Sequence, residues 1–428
     1  MNPPISKAII EQSTLSKMGK LARLYLVWAL GLLVFYLVSP TISYLIFWGV
    51  FPRFSITLVT GLLLAAALGF RLLLLVTGQL PFRGKQLILA YLLLLWISIL
   101  QFIWFPTISA QIGSKDFFAT IAFTFVGAWA MFLGGEALAY LAATQLSGFA
   151  WIALIVTYLS LAFTILDGVT RGLRLYGMFF FAFQDPISLE VYNYLALADS
   201  LAIAGLLLLG RPSGRAPYKS FIFYFITLCL LLFAYSRASL FLFLFVGFIL
   251  LALKFWSRQK QHFLLALSCI GIAALTAFIV QPNLVERSRL VLERMSAPFT
   301  GNDPSLQSRL ELFRQGLRSL RQYWLLGYFM NEAVEAQRGA YMHNWFSFWL
   351  AYGIGPFLLS VWLMFSLMVR SWRQRRKNHL ALLAFCLLTF ILLAIVFARS
   401  YIWPYFWLGL GFAATVLPVT KEKGRSHL

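Results

Sequence analysis

Acidic residues are scarce. Asp and Glu number 14 in 428 residues, and the charged types together reach only 11%. Soluble domains carry about 25% charged and about 45–50% apolar residues. A chain that is 61% hydrophobic is therefore neither a soluble enzyme nor a disordered protein. A mean hydropathy of +0.82 also excludes a β-barrel, whose alternating strands keep that value modest. Cysteine is nearly absent: Cys229, Cys269 and Cys386 each sit inside an apolar run, so neither a disulfide framework nor a metal site follows. No Asp-x-Asp, HExxH or CxxC occurs, which leaves a metal without clustered carboxylate or thiolate ligands. The polar stretch from Asn2 to Lys20, with no A-x-A-like site after the first apolar run, predicts no cleaved signal peptide.

What is present is long apolar segments. A helix pairs every backbone amide within itself, as hydrocarbon demands, and about 20 apolar residues span the core. Candidate spans lie near 24–50, 55–77, 87–105, 117–140, 149–167, 189–209, 218–235, 237–254, 263–280, 344–369, 379–398 and 401–418. The expected fold is an all-α polytopic membrane protein of about 12 transmembrane helices. It forms a single transmembrane domain over 1–428, with residues 281–342 inserted as a long loop. The first run is long for one straight span, and it is tilted, broken near Pro40 or partly re-entrant.

Lys and Arg number 35, giving a formal charge of +21. They fall in short stretches between apolar runs, so they read as topology signals and not as a nucleic-acid surface. With the N-terminus inside, the basic groups at Lys7–Arg23, Arg83–Lys85, Arg211–Lys219, Lys254–Lys260, Arg370–Lys377 and Lys421–Arg425 are all cytoplasmic. The 281–342 loop is then outside. Within it Leu306, Leu310, Phe313, Leu317, Leu320 and Trp324 recur at helical spacing among arginines, predicting an amphipathic helix on the outer membrane face.

Four outer-side positions could carry chemistry. Arg237 sits in an almost absent turn between two apolar runs, as a snorkelling side chain or an anion ligand. Arg174 lies in a short loop with flanking glycines that permit close backbone approach. Arg309 opens the amphipathic helix. His343 is the only histidine on the outer side, since His262, His379 and His427 fall inside. Its imidazole can take a proton near neutral pH. Without a metal, a diphosphate would need arginines, whose planar fork bonds phosphate oxygens in pairs.

In order, these pieces resemble the O-antigen ligase family, which shares a superfamily with O-antigen polymerases and bacterial O-oligosaccharyltransferases. The resemblance rests on Arg174-x-x-Gly177, Ser236-Arg237-Ala-Ser, Ser308-Arg309, Leu325-Leu-Gly327-Tyr, His343-Asn344 and Gly353-Ile-Gly355. It covers roughly residues 170–370. The family often has Phe-x-x-Pro-Asn after the first arginine. Here Met178 to Ile187 lacks the asparagine, which leaves the roles of Gln184 and Asp185 open.

The resemblance implies a GT-C-like enzyme without cofactor in the bacterial inner membrane, active on the periplasmic side. A glycan on undecaprenyl diphosphate would pass to a hydroxyl of the lipid A–core oligosaccharide, with inversion and without a metal. Arg174, Arg237 and Arg309 would bind the diphosphate, and His343 would serve as base. The alternatives are a polymerase of the same superfamily, a protein-directed O-oligosaccharyltransferase, or a transporter of an anionic lipid-linked glycan. For a transporter the candidate polar residues within spans are Arg71, Glu136, Glu190 and Asp199.

Overall fold

The computed structural model describes residues 19–78, 84–113, 120–144, 146–171, 174–175, 178–179, 182–184, 191–212, 217–234, 236–255, 304–330 and 342–416. The expected span at 263–280, two stretches of the long loop (281–303 and 331–341) and Asp185 lie outside the described residues.

The described apolar runs are helices. In chain order they are α1 (Lys20–Phe47), α2 (Ile56–Val76), α3 (Lys85–Ile103), the short α4 (Phe105–Ile112), α5 (Ala128–Ala142) and α6 (Ser147–Thr170). Then come α7 (Tyr194–Leu209), α8 (Pro217–Phe233) and α9 (Arg237–Phe255). The last group is α10 (Pro304–Tyr323), α11 (Phe346–Tyr352), α12 (Ile354–Gln374), α13 (His379–Phe397) and α14 (Tyr405–Val416). Among the described residues, 8 helices are long and apolar enough to cross a membrane, and α7, α8 and α14 are shorter apolar helices. The chain is an all-α polytopic membrane protein.

α5 is the central helix. It packs against α1 and α14, and all of its residues except Tyr140 are buried. Small residues allow this. A Cβ on Gly135 would lie 2.5 Å from the Leu408 carbonyl oxygen, and one on Gly411 would strike that of Phe132. Without a hydrophobic drive between helices in lipid, close backbone approach and van der Waals contact hold the pair.

The ends of the helices sort by charge. Lys254 on α9 donates to the carbonyls of Leu209 (2.9 Å) and Arg211 (2.7 Å), and Arg370 donates to Gln86. At the other end Tyr44 donates to Asp167 at 2.6 Å, and Arg171 lies 4.6 Å from the Trp48 ring centroid. The end bearing Lys254 and Arg370 is the one expected from the sequence to be cytoplasmic.

One open alternative is decided and two expected spans need correction. α1 runs unbroken for 28 residues through Pro40. At about 1.5 Å per residue it is roughly 42 Å long, so it is tilted or projects beyond the hydrocarbon. The sixth expected span starts at Tyr194 and not at 189. Before it lie two antiparallel strand pairs, β1 (Arg174–Leu175) with β2 (Met178–Phe179), and β3 (Ala182–Gln184) with β4 (Val191–Asn193). The run at 344–369 is not one helix, because it breaks at Gly353 between α11 and α12.

That break is built by two glycines. Gly353 and Gly327 have φ of +80° and +71°, and a Cβ on either would strike the other's segment. The Ile354 amide donates to the Trp324 carbonyl at 3.1 Å, and the Tyr328 amide to that of Leu350 at 2.7 Å. Positive φ strains any residue with a Cβ by about 1–3 kcal/mol, and the backbone clash adds to this. Gly353→Ala should therefore lower the melting temperature of the detergent-solubilised protein clearly. Gly61→Ala, where the added Cβ meets nothing within 4 Å, should leave it nearly unchanged.

Candidate active site

The chemistry gathers at the end of the bundle opposite Lys254. Ser236 caps α9: its carbonyl accepts the Leu240 amide at 3.0 Å, and its Oγ accepts the Ser239 amide at 3.4 Å. Arg237 is thus the first residue of α9, half-buried, where orphan amides and the helix dipole already favour an anion.

Beneath it is a buried carboxylate. Asp199, on the first turns of α7, accepts from Arg399 Nε at 2.9 Å and Nη2 at 2.7 Å. It also accepts from Ser239 Oγ at 2.5 Å and from the Trp403 indole at 2.9 Å. Both oxygens are saturated, which offsets the cost of burying the charge. With its proton committed to Asp199, Ser239 receives the hydroxyl of Ser236 at 2.7 Å.

His343 lies on the turn before α11. A ring N–H donates to the Ala398 carbonyl, and Arg309 and Arg399 are its charged neighbours. Burial first, then those two arginines, push its imidazole down to about 4 against a partial rise from the Ala398 bond. It is therefore neutral at ordinary pH. Its donated N–H selects one tautomer and leaves the other nitrogen as an acceptor. The α10 helix covers this corner. Leu320 packs with Met342 and Leu350, and Gly316 leaves room for the Met342 side chain.

Residues 222–353 match the family model described as O-antigen ligase. Over this stretch, about a third of the chain, the protein is similar to the O-antigen ligase family. No curated protein matches the chain. The ligase domain contains Arg237, Arg309, His343 and both glycines of the break. The match supports a ligase- or polymerase-type glycosyltransferase that takes a lipid-linked glycan.

Of the residues expected from sequence, the structure brings Arg309 near enough to His343 to disfavour its charged form. It joins His343 to the start of α9 through the Ala398 carbonyl, Arg399 and Asp199. Arg174 is placed by its backbone on β1, opposite Phe179, and β2 packs beside α6 and α8. Gln184 ends β3 opposite Val191.

Asp199 and Arg399 escaped the sequence reading. The sequence offers Asp199 only as one of four polar residues within spans and gives no reason to single out Arg399. The structure pairs Asp199 with Arg399 and Arg71 with Glu136. A usable signal existed: an aspartate inside an apolar run must have a partner, because an unpaired buried charge costs too much. Among the described residues, no group of three or more His, Cys, Asp or Glu side chains could hold a metal ion.

Proposed function

We propose that the chain is an O-antigen ligase-type glycosyltransferase. It moves a glycan from undecaprenyl diphosphate to a hydroxyl of the lipid A–core oligosaccharide, on the periplasmic face of the bacterial inner membrane. The observation that carries this reading is a single neutral imidazole, its tautomer set by Ala398, flanked by arginines beside an arginine-bearing helix start. His343 takes the proton of the acceptor hydroxyl as its oxygen attacks the anomeric carbon. The bond from that carbon to the diphosphate oxygen breaks, and the diphosphate leaves with the electron pair. Arg237 and Arg309, with Arg174 from the strand loop, bind it and stabilise its growing charge. One displacement inverts the anomeric centre without a covalent enzyme intermediate.

The test is a purified reaction with lipid-linked glycan donor, offering lipid A–core and lipid-linked repeat units side by side. Extended lipid A–core with released polyprenyl diphosphate is expected, at the same rate in EDTA. Chain growth on the lipid carrier alone would make the protein a polymerase. Movement of intact donor across liposomes without transfer would make it a transporter. Loss of rate in EDTA, restored by Mg²⁺ or Mn²⁺, would show that arginines are not the main counter-charge.

A further inference from the structure

Asp199 lies between the two halves of the site and is hydrogen-bonded to both. On one side Asp199 grips Arg399 through Nε and Nη2. Arg399 in turn donates from Nη1 to the Ala398 carbonyl at 3.3 Å, the oxygen that also accepts the His343 N–H. On the other side Asp199 takes the Ser239 hydroxyl, and Ser239 takes that of Ser236, the cap from which Arg237 starts α9. Arg399 also reaches Ser239 at 3.3 Å, closing the ring of contacts. Trp403 donates to the same carboxylate and pins the far end of the turn.

We propose that Asp199 is the positioning residue of this site: it holds the turn that orients His343 and the helix start that carries Arg237 in one fixed relation. The assignment of roles rests on the glycosyl-transfer reading above, but the geometric coupling does not. Asp199 touches no reacting atom. A carboxylate on α7 that accepts four donors from two other segments, the start of α9 and the turn after α13, works as a rigid node. Arg399 serves twice, as the arm from Asp199 to Ala398 and as a positive neighbour of His343. Among the described residues, the charged groups facing His343 are Arg309 on α10 and Arg399 on the turn, with Asp199 behind Arg399.

The test compares Asp199→Asn, Arg399→Lys and Arg399→Gln with the unaltered protein. Two readouts are used. The first is transfer kinetics. The second is carbethoxylation of His343 by diethylpyrocarbonate, mapped by peptide mass spectrometry across pH, which needs no activity.

Asp199→Asn should cut kcat about 10²-fold, the scale of a misplaced reacting group, and raise the donor KM several-fold. It should also speed carbethoxylation of His343 at neutral pH as the ring loosens. Arg399→Lys keeps the charge and loses the two-point grip. It should lose turnover similarly while the pH midpoint of His343 stays low. Arg399→Gln should move that midpoint up toward the ordinary imidazole value near 6.5. If Asp199→Asn fails to fold in detergent, the two Arg399 variants carry the test. Unchanged His343 reactivity and midpoint in all folded variants would overturn the proposal. If the unaltered protein transfers no glycan, the functional reading falls, and the carbethoxylation result still decides the coupling.

Discussion

Replacing His343 by alanine should cut transfer turnover by about 10²–10⁴-fold, the usual worth of a general base, while donor affinity stays largely intact. Arg237→Ala should do the reverse first, weakening the donor before it slows saturated turnover. Arg237→Lys should restore only part of the loss, because a lysine cannot make the two-point phosphate contact. The contrast follows from placement: His343 has one N–H committed to Ala398 and a lone pair on its other nitrogen, whereas Arg237 begins a helix whose amides already attract anions.

The pH profile is a second check on the same residue. His343 is pushed down to about 4, so the base is already unprotonated at neutral pH. The kcat/KM should stay level as pH falls through about 6.5, the ordinary imidazole value, and decline only as the solution nears pH 4. A decline centred near 6.5 that vanishes in His343→Ala would show that His343 is not held between Arg309 and Arg399. Donor affinity lost with turnover preserved at saturation would make histidine a phosphate ligand, not a base.

The largest stability effect is expected at the opposite end of the bundle. Arg71 Nη2 and Glu136 Oε1 are 2.9 Å apart with almost no solvent exposure. Arg71 Nε donates to the Tyr91 hydroxyl at 3.0 Å, Tyr91 donates to Glu136, and Tyr25 donates to Glu136 at 3.4 Å. The guanidinium also lies 5.6 Å from the Tyr25 ring centroid and 5.3 Å from that of Tyr91. The four residues come from α1, α2, α3 and α5, each about one and a half turns from the end of its helix on the Lys254 side. They therefore meet at one depth and set the register of four helices.

Removing one member leaves the other charge buried and unpaired. Arg71→Ala or Glu136→Ala should each cost about 3–5 kcal/mol, the range for a broken buried pair. The double variant Arg71→Met with Glu136→Leu removes both charges and keeps volume, so it should recover much of that loss. Unfolding in mixed micelles measures all three. A double variant as unstable as the sum of the singles would show that the two residues act independently.

Much of this protein is local information. Whether a stretch enters hydrocarbon depends on its own composition, so the apolar runs placed the described helices to within a few residues. Basic clusters marked their ends for the same reason. The amphipathic spacing from Leu306 to Trp324 foretold α10, and single-residue chemistry offered Arg174, Arg237, Arg309 and His343 as candidates. Tertiary structure decided what depends on partners distant in the chain. Gly353 read as part of one long span, because its break needs Leu325 and Gly327 packed against it. Arg71 and Glu136, like Asp199 and Arg399, read as scattered charges, because 200 residues separate the second pair. Hydropathy is summed along the chain, but a buried charge is stabilised only by the groups that folding brings within hydrogen-bond reach. That is why the spans could be read in one dimension, whereas the node at Asp199 emerged only when α7, the start of α9 and the turn after α13 came together.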